Sequence, residues 1–204
     1  YKRQVQYISF RAAGAAITAL IICFLIGPKI IRTLIVYHYG ETIRKNGPES
    51  HHKKEGTPTM GGIIILMAII LPTFLWAKLT NPFIQIILIS VTWMGIIGFI
   101  DDYLKITRNN HRGLSAKLKL ILQFIISSIA LIWIYDISSD QLAGLVALPF
   151  LKDTTIYLGI VSWCLVSGLI VVGSSNAVNL TDGLDGLAIV PIILSLIHIS
   201  EPTR

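Results

Sequence analysis

Charge is what this sequence has least of. Only 14% of its 204 residues are Asp, Glu, Lys or Arg, against 53% hydrophobic residues and a mean hydropathy of +0.71. A soluble domain carries about 25% charged residues, so the shortage excludes an ordinary water-facing surface and points to lipid as the solvent. Cysteine is scarce as well. Cys23 and Cys164 each sit inside an apolar run and read as small packing residues, not as a disulfide or a zinc pair. Polar/apolar alternation is missing: Gly61–Leu71 is apolar on every side and Ile84–Ile89 is apolar but for Gln85, which argues for helices and against a β-barrel. No Gly-Lys-Ser/Thr follows the glycine-rich stretch near residue 60, so there is no Walker motif. Acidic residues are absent from the middle of the apolar runs. That places a transporter using intramembrane carboxylates as an ion relay far behind an enzyme.

What is present is a series of long apolar runs. They predict an all-α polytopic transmembrane bundle of about six spans, near Ala12–Ile31, Met60–Ala77, Pro82–Ile100, Leu118–Tyr135, Thr155–Val172 and Leu187–Ser200, several approaching the roughly 20 residues that cross a bilayer. The net charge of +6 is distributed as a membrane protein distributes it, not as a nucleic-acid surface. Lys29, Arg32, Arg44, Lys45, Lys53 and Lys54 lie in the first connection. Lys105, Arg108, Arg112, Lys117 and Lys119 lie in or beside the third. The second and fourth connections carry only Lys78 and Lys152. Basic loops stay on the cytoplasmic side, so odd-numbered connections are expected inside and the N-terminus outside, with Lys2, Arg3 and Arg11 counting against this. Residues 1–194 read as one incomplete transmembrane domain. Residues 195–204 read as an atypical tail from a truncated or spliced reading frame, so His198 is not taken as a catalytic histidine.

Three chemically loaded segments fall in the odd-numbered connections. The first is Gly98 to Lys105, with Asp101 and Asp102 adjacent at a span end. Two like charges 4 Å apart repel by about 4 kcal/mol at an effective dielectric near 20; a divalent cation or a lysine removes that cost. On a helix, Lys105 reaches both carboxylates by i,i+4 and i,i+3 spacing. An ordinary ion pair at a helix end is the bland reading, and a carboxylate pair serving Mg²⁺ or a proton beside a phosphate the functional one. The second is Asn176 to Gly186, where Asn176, Asn179, Asp182 and Asp185 recur every third residue. That spacing drifts about 60° per step on a straight helix, and Gly173, Gly183 and Gly186 suggest an interruption. An Asx-rich turn is the alternative, but amides and carboxylates without countercharge suit sugar hydroxyls, a base or a metal. The third is Lys53 to Gly62 entering the second span. Its glycines suit either phosphate at a helix start or close helix packing. The basic cluster around Gly113-Leu114-Ser115 adds diphosphate binding to its orientation signal.

Together, Gly47-Pro48-Glu49-Ser50-His51, Gly56-Thr57-Pro58-Thr59-Met60-Gly61-Gly62, Gly98 to Lys105, Gly113-Leu114-Ser115-Ala116-Lys117 and Asn176 to Gly186 resemble the bacterial phospho-N-acetylmuramoyl-pentapeptide-transferase family, up to about Ile193. The resemblance implies transfer of phospho-MurNAc-pentapeptide from UDP-MurNAc-pentapeptide to undecaprenyl phosphate, giving lipid I and UMP with Mg²⁺. This is the first membrane step of peptidoglycan synthesis, at the inner membrane. It implies Asp101 as the residue that deprotonates or orients the lipid phosphate, with Asp102 supporting it and the metal. Lys54, Thr59, Lys105 and Lys117 would bind phosphates, while Asn176, Asn179, Asp182 and Asp185 would hold the nucleotide and the metal's surroundings. A homodimer is implied too. A further Mg²⁺-ligating Asp and a histidine-rich loop, expected in the family, lie beyond Arg204, so the chain as it stands is expected to be inactive. A sister enzyme transferring phospho-GlcNAc to a polyprenyl phosphate is the nearest rival.

Overall fold

The computed structural model describes residues 7–36, 60–108, 113–139, 142–148, 154–181 and 187–200, with side chains described as far as residue 195. It contains six helices and one short hairpin among these residues: α1 (Ile8–Val36), α2 (Gly62–Trp76), α3 (Pro82–Thr107), α4 (Ala116–Ile137), β1 (Leu145–Ala147), β2 (Thr155–Tyr157), α5 (Ile160–Thr181) and α6 (Ile189–Ser200). Each helix overlaps one of the six apolar runs. Four of them, α1, α3, α4 and α5, are long and apolar enough to cross a membrane. At 15 residues, α2 spans about 22 Å, short of a hydrocarbon core of roughly 30 Å. The exposed side chains are those of a lipid-facing bundle. Ile8, Phe24, Leu75, Val161 and Leu169 all present most of their surface, an arrangement water would penalise but acyl chains do not. The chain is a multi-pass, all-α membrane protein.

It divides into two compact units, Tyr1–Ile126 and Ser127–Arg204. In the first, α1 packs on α2 and α2 on α3. The seams are made by glycine. A Cβ at Gly14 would lie 2.8 Å from the Trp76 ring, and one at Gly27 would touch Ile64 at 3.9 Å, so α1 and α2 run antiparallel. At the Gly14 end Trp76 donates its indole N–H to Thr18 Oγ1 at 3.0 Å, and Phe10 meets its ring edge-on. Arg11 donates from Nε to the Trp76 carbonyl. The arginine that counted against the charge-derived orientation is therefore engaged at the C-terminal end of a helix, where cations are favoured.

The helix starts follow from local chemistry. Asn81 caps α3 by accepting from the Phe83 N–H at 2.9 Å, with Pro82 at the first helical position, a site where its missing N–H costs nothing. Ser115 caps α4, its Oγ accepting from the Leu118 N–H at 3.3 Å, the Ncap-to-N3 pattern. In the second unit β1 and β2 pair antiparallel in the register Leu145↔Tyr157, Val146↔Ile156 and Ala147↔Thr155. Gly144 opens the hairpin at φ +80°, a left-handed conformation that favours glycine. The expected span at Thr155–Val172 is thereby corrected. Thr-Ile-Tyr is a β-branched and aromatic triplet taken up by the hairpin, and the helix runs from Ile160 to Thr181 instead.

Candidate functional site

The C-terminal end of α3 carries Asp101, Asp102 and Lys105, and the start of α4 carries Lys119. As the i,i+4 and i,i+3 spacings predict, Lys105 Nζ lies 2.9 Å from Asp101 Oδ2 and 3.0 Å from Asp102 Oδ1. Lys119 Nζ approaches the same Asp101 oxygen at 3.8 Å. The other oxygen, Oδ1, accepts the Leu114 N–H at 2.8 Å. The two carboxylates differ in access. Asp101's side chain is only 12% exposed, whereas Asp102's is 36% exposed. A partly buried carboxylate with two ammonium neighbours and a backbone donor is held in one orientation. The more open Asp102 meets Lys105 through Oδ1.

Lys117 and Lys119 sit two residues apart on α4, about 200° around the helix axis. Only Lys119 is turned to Asp101, while Lys117 is exposed. Sequence reasoning placed Lys119 in the basic cluster without choosing it as a site residue. Helix phase counted from the Ser115 cap separates Lys119 from Lys117, but does not by itself say which of them meets Asp101.

The asparagines lie in the other unit. α5 continues unbroken through Gly173, so both Asn176 and Asn179 are helical, and the expected interruption is not at Gly173. Asn176 donates from its amide to the Val172 carbonyl at 2.8 Å, and Asn179 is exposed. Asp182 and Asp185 lie outside the described residues, as do Lys54 and Thr59. At the entry to α2, Met60 is buried with φ +70°, an uncommon left-handed conformation for a side-chain-bearing residue. Gly61 begins the helix without a side-chain cap. A Cβ at Gly61 or Gly62 would meet nothing within 4 Å among the described residues. Of the two readings of this glycine pair, close helix packing therefore has no contact to support it. No group of three His, Cys, Asp or Glu side chains is gathered among the described residues, and both cysteines are free.

Two acidic side chains at the end of a membrane-crossing helix, met by lysines from two helices, bring together the charges that phosphoryl chemistry can use. Comparison with known proteins narrows the class: the profile of Glycosyl transferase family 4 matches residues 84–200, more than half of the chain, and the chain belongs to that family. Residues 54–66 match a shorter pattern, phospho-N-acetylmuramoyl-pentapeptide-transferase signature 1. Over 193 residues the chain is 46% identical to a phospho-N-acetylmuramoyl-pentapeptide-transferase of Rhodopseudomonas palustris (strain BisA53), covering 93% of this chain and 53% of that protein. The chain thus spans about half the length of the curated relative it matches.

Proposed function

We propose that the protein to which this chain belongs transfers phospho-MurNAc-pentapeptide from UDP-MurNAc-pentapeptide to undecaprenyl phosphate, releasing UMP and forming lipid I. The observation that carries this reading is the Asp101–Asp102–Lys105–Lys119 cluster at the end of a membrane-crossing helix, in a chain 46% identical to an enzyme of that name. Phosphoryl transfer asks a protein chiefly for alignment and charge neutralisation. The oxygen of the acceptor phosphate attacks the β-phosphorus of the nucleotide sugar, the bond from that phosphorus to the bridging oxygen breaks, and UMP leaves with the bonding pair. Lys105 and Lys119 would neutralise the phosphates, Lys54, Thr59 and Lys117 would add donors, and Asp101 Oδ2 would orient the acceptor phosphate or take its proton. Asn176, Asn179, Asp182 and Asp185 would hold the nucleotide.

The donor set fits Mg²⁺. This ion is commonly held by one or two carboxylates together with substrate phosphates, and Asp102, with its side chain 36% exposed, suits that part. When bound, Mg²⁺ would supply charge neutralisation at the diphosphate. The basic connections favour a cytoplasmic site at the bacterial inner membrane, with the N-terminus outside, and a homodimer is part of the same reading.

The test is UMP release from UDP-MurNAc-pentapeptide and undecaprenyl phosphate by the full-length protein in membranes, with and without Mg²⁺. Asp101→Asn preserves the size and the acceptor oxygen of the side chain and removes its charge. The expected outcome is Mg²⁺-dependent release that falls about a hundredfold or more in the variant, the scale of losing one positioned proton-transfer group. Turnover with UDP-GlcNAc in place of the muramoyl substrate would move the protein to the sister enzyme. Undiminished release in Asp101→Asn would remove that carboxylate from the chemistry.

A further inference from the structure

We propose that Gly113 is a positioning residue for the phospho-sugar transfer described above, on which this inference rests. Lacking a side chain, it lets the chain ahead of α4 close onto the Asp101 carboxyl and fix which of its oxygens is left for substrate. A Cβ at residue 113 would overlap Asp101 Oδ1 outright, and would lie 2.7 Å from the Asp101 main-chain oxygen and 2.9 Å from its Cγ. The φ of Gly113 lies outside the left-handed region, so the need for glycine is one of space. A carboxylate can rotate away from a new methyl group. The main-chain oxygen cannot, because it belongs to α3. Even alanine must therefore push the 113–115 segment off the helix.

Two contacts go with that shift. The Leu114 N–H that donates to Oδ1 at 2.8 Å is the next residue in the chain, and Lys119, 3.8 Å from Oδ2, hangs on the helix that Ser115 caps. In the native arrangement the two oxygens have separate fates. Oδ1 is tied to backbone, and Oδ2 faces the ammonium groups of Lys105 and Lys119, where an acceptor phosphate would be drawn. Gly113 thus acts through Asp101, on the acceptor side of the reaction.

The test uses the full-length protein in membranes, as wild type, Gly113→Ala, Asp101→Ala and the control Gly159→Ala, whose Cβ meets nothing within 4 Å. Two quantities are read: steady-state kinetics with each substrate varied, and hydrogen–deuterium exchange in the peptide holding Leu114. We expect Gly113→Ala to lower kcat by about ten- to a hundredfold, as small misplacements of a reacting group do. KM for the polyprenyl phosphate should rise severalfold while KM for the nucleotide sugar stays within about twofold. Leu114 exchange should quicken as it does in Asp101→Ala, and Gly159→Ala should match wild type throughout. A fall in kcat with neither KM moved is what loss of folded enzyme gives, and it would overturn the positioning role. Unchanged kinetics would overturn it too, and Leu114 exchange that is equal in all four proteins would overturn the contact itself. A wild type without turnover, in which Leu114 protection is still lost in both site variants, would sink the transfer reading and leave the contact supported.

Discussion

Asp101 answers to a backbone N–H and two lysines at once, and its neighbour Asp102, among the described residues, to Lys105. Adjacent carboxylates thereby become unlike: one fixed and mostly enclosed, the other open. Exposed ion pairs contribute about 0–1 kcal/mol, so Lys105's bridge matters less for stability than for holding the two acids apart in role. Leaving a buried donor without its acceptor costs about 1–3 kcal/mol. Asp101→Ala is accordingly expected to be less stable than Asp101→Asn by that order, because asparagine keeps an oxygen for the Leu114 N–H. Thermal unfolding of the two variants in the same detergent checks it, and equal melting temperatures would deny the anchoring contact. The pairing of Asp101 with Lys105 was legible from spacing alone, since i,i+4 neighbours on a helix must meet. The contact from Lys119 was not, because it depends on how the chain between α3 and α4 returns.

At the scale of elements, glycine sets which helices approach. Gly14 and Gly27 of α1 face α2, and Gly95 of α3 faces Leu66, the small-residue seams that let membrane helices pack closely. Gly14→Val would drive a branched side chain into the Trp76 ring and should destabilise the α1–α2 pair by about 1–3 kcal/mol. Gly98→Ala, with open space around its Cβ, should instead raise stability by about 0.5–1 kcal/mol through helix propensity. Unfolding of both variants against wild type separates the two cases. The six helices among the described residues could be read from hydropathy, because lipid demands runs of that length. Their boundaries could not always. Thr155–Tyr157 is as apolar as a helix start, and only pairing with Leu145–Ala147 makes it a strand. Extending α5 to Thr181 puts Asn176 and Asn179 on a helix instead of in a turn. Arg11 likewise shows its use only once α1 meets the end of α2.

At the scale of the whole molecule, the charge-derived topology makes a claim about sides. α4, 22 residues long, rises about 33 Å. By that topology the third connection, next to Asp101, lies inside, and the fourth, which holds the β1–β2 hairpin, lies outside. In a background where Cys23 and Cys164, the free cysteines, are replaced by Ala, Thr107→Cys should react with an impermeant maleimide only after the cells are opened. Tyr157→Cys should react in intact cells. The opposite pattern would invert the orientation and put the cluster on the wrong side for a cytoplasmic nucleotide sugar.

The central claim is that the sugar moves together with its phosphate. Membership of a glycosyl transferase family does not by itself decide this, because ordinary glycosyl transfer leaves both phosphates on the nucleotide. The most direct measurement follows UDP-MurNAc-pentapeptide labelled with ³²P at the β-phosphorus, incubated with undecaprenyl phosphate and the full-length protein in membranes. The account predicts that the label enters the lipid fraction while UMP leaves unlabelled. Label remaining with the nucleotide as UDP would contradict it.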